Sequence, residues 1–460
     1  MRRVLAAVAV TAMALSGAFT GLVEPAVARE RGSRPVKQPK EVEAANAAVA
    51  AGNWAEAVTQ LEAALKLRGV TPAVAAQFYG LIGFAKGNMN DDAGAMAAFE
   101  AGLAAAPGSP SVLSQRAQFY FRKNEDAKAL ADFRAACPGM TGPEAVICNL
   151  QMAQVLDRTK DYAGSLAATD AALAIDANQK AGYLLRARAR SELKDRDGAL
   201  ADLEKALALD PNYFQAYRVR GMIRDGAGDL DGAGADYAKC AEINPNDQAC
   251  SLLAAQVYQK KRDWPALMKA AENAARINPR SPEAVFMRGA AKQGQGDHDG
   301  AIADFSAAID LRKNFPAAFI NRGQSYNQKK DFNKAIADFE QCAFLSEDLA
   351  SRCDALRSSS YIGLEDWDRA VEAAGEALRA DPRSTMALNN RAVARFNQTN
   401  YEAAIVDLDK ALAIDPTSAQ SWGNKGLVQR RLGQAAAAKE SFRKAVELGD
   451  TRSSVVQGAQ

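Results

Sequence analysis

The sequence predicts an all-α fold, a solenoid of about twelve antiparallel helix pairs, and three observations predict it. First, a small residue recurs on a near-fixed beat. It falls at Ala57, Ala95, Ala129, Ser165, Ala199, Ala233, Ala301, Ala335, Ala370, Ala404 and Ala438, with Leu267 standing in once. Successive steps run from 34 to 38 residues, a period that marks stacked repeats. Second, a larger residue sits four after the beat, as at Phe99, Phe133, Tyr237, Phe305, Phe339 and Phe442. A small one follows three later, as at Ala136, Ala206, Cys240, Ala308, Ala411 and Ala445. Spacings of four and three share one helix face. Third, the punctuation keeps the same register.

Each repeat can be justified from its start. Twelve residues before the beat stands Ala or Gly, as at Gly83, Ala117, Ala187, Gly221, Gly289, Gly323 and Gly426. These belong to a preceding helix, and facing residues this small let two helices approach closely. Asp91, Asp161, Asp229, Asp263, Asp297, Asp331 and Asp366 lie four before the beat, with Asn53 and Asn400 as substitutes. Such side chains cap the second helix. Pro107, Pro211, Pro245, Pro279, Pro382 and Pro416 lie twelve after it and close that helix.

This small–small–large–small–Pro skeleton resembles the tetratricopeptide repeat family over roughly residues 38–452. The resemblance implies a right-handed superhelix of helix pairs. It also implies a concave groove, formed by first helices, that binds peptides or partner helices. The first and third repeats run long around Arg68-Gly69-Val70 and Pro138-Gly139-Met140, which we expect to be longer surface loops. The twelve repeats sort into four modules of three. Each module opens its first repeat's second helix at Asn53-Trp54, Asp161-Tyr162, Asp263-Trp264 or Asp366-Trp367.

The six cysteines follow the longer period. Cys137 and Cys148, Cys240 and Cys250, and Cys342 and Cys353 form three pairs, each straddling a module junction. One member ends a second helix and the other starts the next first helix, so stacking should make them neighbours. Structural disulfides are the expectation. Buried free thiols filling the small-residue column are the alternative, and metal sites a third, against which stands the lack of Cys-x-x-Cys spacing or a nearby His.

Met1-Arg2-Arg3 is basic, Val4 to Val23 carries no ionisable residue, and Ala26-Val27-Ala28 follows. This reads as a secretory signal over 1–28, cleaved after Ala28, with an uncleaved anchor as the alternative. Residues 29–40 read as a flexible basic linker, 41–449 as the solenoid and 450–460 as a C-terminal tail. Export suits paired cysteines, and a periplasmic location is expected. The full chain has 57 basic and 55 acidic residues, a net charge of +2. That balance argues against nucleic acid, which needs a concentrated basic face. No integral membrane span is expected after cleavage.

Two charged columns co-occur. Arg116, Arg186, Arg220, Arg288, Arg322, Arg357, Arg391 and Lys425 precede the small residue of the first helix. Asp132, Asp202, Asp236, Asp304, Asp338 and Asp407 stand three after the beat, always in repeats that have the base. A salt bridge between the two helices of one repeat is inferred; joint copying of the module would give the same table. Repeats ten and twelve keep the base without the acid.

Chemistry finds little support. His298 is the one histidine and occupies a turn position held elsewhere by Tyr162, Trp264 and Phe332. It has no nucleophile partner in a Ser-His or Cys-His pattern, and no cofactor or metal is expected. Groove candidates, two residues before the arginine column, are Leu150, Leu184, Arg218, Leu252, Phe286 and Ile320; sideways packing between first helices is the alternative. Edge candidates are Phe442 and Val446 on the last repeat. Either a second copy or a partner covers them, or Val455 and Val456 fold back; the tail looks too short for an extra covering helix. The expected function is a non-enzymatic protein-interaction scaffold of the bacterial cell envelope, partnering envelope proteins or peptides. The alternative is an accessory subunit or chaperone of an envelope enzyme or of secretion or assembly machinery.

Overall fold

A computed structural model describes residues 39–459. The expected signal and nearly all of the basic linker lie outside them. The described residues form 25 α-helices, α1 (Lys40–Ala50) to α25 (Ser453–Ala459), and no strand. The first 24 alternate as first and second helices of twelve repeats, ending with α24 (Ala435–Glu447). The chain divides after Ile223 into two compact units. Each is a row of helix hairpins, and successive first helices touch directly, as α3 (Pro72–Asn88) does α5 (Pro110–Arg122).

One turn geometry joins first helix to second throughout. The residue five before each beat has positive φ. It is glycine at Gly52, Gly228, Gly296 and Gly433, and a side-chain-bearing residue at Asn90, Asn124, Lys160, Lys194, Arg262, Lys330, Glu365 and Thr399. The cap follows at once. Asp91, Asp161, Asp229 and Asp297 each accept from the N–H of a glycine three residues on, at 2.9 Å. Asp331 departs from the pattern: its carboxylate takes Lys334 Nζ at 2.7 Å and makes no cap bond. At the other end, the residue before proline is driven out of the helix region. Ala106, Asp210, Asn278, Asp381 and Asp415 accordingly have ψ of 94, 97, 94, 98 and 89°.

The core is built from the beat and its partners. Phe305 and Phe339 are fully buried. A Cβ on Gly289 or Gly323 would stand 2.8 Å from the respective ring, so only glycine lets those helices close.

The three cysteine pairs are disulfides, and no described cysteine is free. Cys137 joins Cys148, Cys240 joins Cys250 and Cys342 joins Cys353, at Cα–Cα distances of 5.5, 5.8 and 6.1 Å. Each bridge pins the end of one repeat to the first helix of the next. The placement of two members corrects an expectation. Cys250 does start its helix, in the first turn of α13 (Gln248–Lys261). Cys148 and Cys353 do not; they lie in the second turn of α7 (Gly142–Arg158) and α19 (Glu347–Gly363). Those two helices begin earlier because each is 17 residues long, against 14 for α13. The added turn lies ahead of the cysteine, and both cysteines stay buried at the junction.

The C-terminal tail folds back over the last repeat through Val455, one of the expected alternatives, and corrects the expectation that it is too short for a covering helix. It does form a covering helix, α25. Val455 is fully buried against the Phe442 cluster, and Phe442 itself is 1% exposed. Arg452 ties the tail to α23 (Ala419–Arg431), donating to Asn424 Oδ1 at 2.7 Å and pairing with Asp450 at 2.5 Å. Phe442 is therefore no open edge, because Val455 and Gly458 occupy the face a next repeat would cover. Val446 keeps 38% exposure. Deleting residues 450–460 should lower the melting temperature and drive self-association, read by light scattering. A monomer of unchanged stability would show that α25 seals nothing.

Candidate functional site

The charged columns assemble as a ladder. Asp132 accepts from Arg116 Nε and Nη2 at 2.7 and 2.8 Å. The same fork joins Arg186 to Asp202 at 2.9 and 2.7 Å, and Arg288 to Asp304 at 2.9 and 2.6 Å. Arg322–Asp338 and Arg391–Asp407 repeat it at 2.9 and 2.7 Å. A planar guanidinium meets a carboxylate best in this bidentate form. All these aspartates are buried, Asp202 and Asp407 to 1% exposure. Two of the arginines also reach the preceding second helix: Arg186 meets Asp170 at 2.6 Å and Arg322 meets Ser306 at 2.9 Å.

Sequence reasoning missed a second base. Four residues after the arginine, Arg190, Arg224, Lys292 and Arg395 pair with Asp202, Asp236, Asp304 and Asp407 at 2.8, 2.8, 2.8 and 2.7 Å. The one-turn spacing from the first base was the available signal. The two repeats expected to lack an acid find one elsewhere. Arg357 bonds Glu376, and Lys425 pairs with Asp409 at 2.6 Å. In repeat twelve, Ser441 donates to Gln429 at 2.7 Å instead.

Two of the buried aspartates titrate in opposite directions. Burial pushes the Asp304 carboxyl up, but Arg288 and Lys292 together outweigh it and hold the group below its ordinary range. Burial also pushes Asp338 up, and Arg322 alone does not overcome it, so Asp338 lies above that range. Tyr326 stands where Lys292 stands in repeat eight. A lowered carboxyl adds stability above the unfolded pKa of 3.8, lost as pH falls through the folded value. A raised one withdraws stability as pH rises from 3.8 through the folded value. The cost of Asp304→Asn should therefore shrink on acidification, whereas the cost of Asp338→Asn should shrink as pH rises through that window. Melting curves at stepped pH check this; parallel slopes would contradict it.

The first-helix face is less open than the sequence suggested. Leu150, Phe286 and Ile320 are 9%, 8% and 3% exposed and belong to the core. The Phe286 ring packs on Phe305 and Phe315 at 5.5 and 5.0 Å between centroids. Packing within the hairpin and against the connection to the next repeat takes up the Phe286 ring. Leu184, Arg218 and Leu252 stay half-buried on the surface. Polar bonds stitch the same face. Asn390 donates to Ala355 O at 2.8 Å, and Asn424 to Asn389 Oδ1 at 2.9 Å.

Profiles described as tetratricopeptide repeat match residues 42–110, 184–248, 286–345 and 356–419, with another on 408–440. The matched stretches exceed half of the 460 residues. The chain belongs to the tetratricopeptide repeat family. Over 101 residues it is 36% identical to "Tetratricopeptide repeat protein 36" of Bos taurus, covering 21% of this chain and 54% of that protein. Over 96 residues it is 27% identical to the "Heat-shock protein cognate (HSC) co-chaperone sgt12" of Aspergillus fumigatus, covering 20% and 28%. The chain thus spans about half, or less, of these curated relatives. Among solved structures, yeast Tom70 matches with a TM-score of 0.42 at 15% identity, over 91% of this chain and 93% of that one. The Cut9 and Hcn1 hetero-tetramer of APC/C gives 0.42 at 15%, over 82% and 88%.

Within this tetratricopeptide repeat chain, the remaining reactive groups are placed plainly. His298 begins α16 (His298–Leu311) and is half-buried in its turn. Cys240, Asp247 and Cys250 put ligand atoms within 4.8 Å of one another, but the two sulfurs are bonded to each other. No described helix is long and apolar enough to cross a membrane.

Proposed function

We propose that this protein is a non-enzymatic binding scaffold of the bacterial cell envelope, exported by its N-terminal signal and working in the periplasm. One observation carries the reading. Within each compact unit, rigid hairpins spend their buried charges on one another, which leaves shape and scattered surface side chains as the means of recognition. The three disulfides favour an oxidising compartment. Envelope proteins or peptides are the partners, held on first-helix faces around Leu184 and Arg218 in one unit and around Leu252 in the other. Affinity capture from envelope extract with residues 29–460 as bait tests this. Recovery of a reproducible envelope protein, lost on Leu184→Asp with Leu252→Asp, is expected. Capture unaffected by both changes would move the contact elsewhere.

A second reading is an accessory subunit or chaperone of an envelope enzyme or assembly machine. The half-buried apolar Leu184 and Leu252 favour it, as does the likeness to a co-chaperone. Suppression of aggregation of a heat-unfolded model enzyme would separate it from simple scaffolding.

A further inference from the structure

Repeat four lacks the ladder pair. Met152 and Ala168 stand where other repeats carry arginine and aspartate. The space is left as a cleft of 320 Å³ between second helices α6 (Asp126–Ala136) and α8 (Tyr162–Ile175). Its floor is α7, through Met152 and Leu156; Ala168 and Ala171 form one wall. It opens on the second-helix side, where guanidiniums such as Arg322 bridge neighbouring second helices in other repeats. Repeat seven also lacks the pair, yet Tyr258 leans across and donates to Gly234 O at 3.2 Å. Leu156, in the position of Tyr258, is too short to do so.

The lining says what would fit. Its one ionisable group is Arg134. That side chain is 62% exposed, and its ion-pair partner Asp161 lies at 3.9 Å, against 2.7 Å for Arg116 with Asp132. Asn149 gives its side-chain N–H to Ala145 O at 2.8 Å, so it presents an acceptor oxygen. An apolar floor, a loosely held cation and an acceptor complement an apolar side chain followed by a carboxylate, on a backbone that can donate an N–H.

We propose that this cleft binds a partner polypeptide through a leucine- or methionine-sized side chain next to an acidic residue that meets Arg134. The inference rests on the scaffold reading and adds a second contact, between second helices α6 and α8 over the floor of α7. Methionine and leucine methyls labelled with ¹³C report binding of the peptide acetyl-Gly-Ser-Leu-Asp-Ser-Gly-amide. Saturable shifts at Met152 and Leu156 are expected at millimolar peptide. They should vanish when the peptide's leucine is serine and weaken about fivefold when its aspartate is lysine, the size of one exposed ion contact.

Two variants fill the cleft. Met152→Arg with Ala168→Asp installs the pair that already folds in five repeats, and Ala171→Phe fills it from an exposed position. Both should keep their melting temperature and lose the Leu156 response. An unshifted Met152, or a Leu156 response that survives a folded cleft-filling variant, overturns the proposal. Shifts at Leu184 and Leu252 alone would overturn the cleft while leaving the first-helix reading intact.

Discussion

Asp202→Ala is expected to cost about 3–5 kcal/mol of unfolding free energy, the loss seen when one partner of a buried pair is removed. Asp202 is 1% exposed and holds both Arg186 and Arg190, so its removal takes the shared buried carboxylate from two cations and leaves each only an exposed acid. The carboxylate's own burial is costly, which means replacing the whole set by apolar residues would cost far less than breaking it. Asp170→Ala supplies the internal control. That carboxylate also touches Arg186 but is 51% exposed, and exposed pairs contribute about 0–1 kcal/mol. Denaturant melts of both variants decide the matter. Equal effects at the two positions would mean that burial does not set the worth of the ladder.

Reduction of all three disulfides together is expected to cost more still. Each closes a short loop, with separations of 11, 10 and 11 residues. In the chain-entropy picture such a loop restricts the unfolded chain by roughly 3 kcal/mol. Thermal melts with and without reductant should separate clearly, and the paired Cys240→Ala, Cys250→Ala variant should show about a third of the total shift, as expected for three similar loops. Alkylation of the unreduced protein should label no cysteine. Superimposable melts, or two labelled thiols, would overturn the staple role.

Much of this was legible in the chain because the repeat writes the same contact many times. The small–large spacing of Gly289 with Phe305, the cap at Asp297 and the proline after Asn278 each report one short-range rule, and short-range rules survive in sequence. The bidentate Arg–Asp pairing was legible because presence and absence varied together between repeats. What escaped were contacts whose partners differ from repeat to repeat. Lys292 and Arg190 share a place that Tyr326 also fills, so no column betrayed the second base. Phe286 and Ile320 looked like groove residues because a single helix face cannot say whether a neighbour lies on it. The pairing of Cys148 and Cys353 was readable from their period, but not their depth in α7 and α19, since the extra turn ahead of each has no counterpart in α13. The covering helix α25 was missed for a related reason: seven residues carry too little periodicity, and its stability comes from Phe442 and Asn424 beneath it.

The left-handed residue in each turn from first helix to second leaves thermal headroom for engineering. Lys160, Lys194, Arg262, Lys330, Glu365 and Thr399 hold φ between 56 and 71° with a side chain attached. A β-carbon there costs roughly 1–2 kcal/mol, of which glycine would return the part not lost to a floppier unfolded chain. Six separate sites, none of them in the ladder or the core, could thus be exchanged one by one to raise heat resistance.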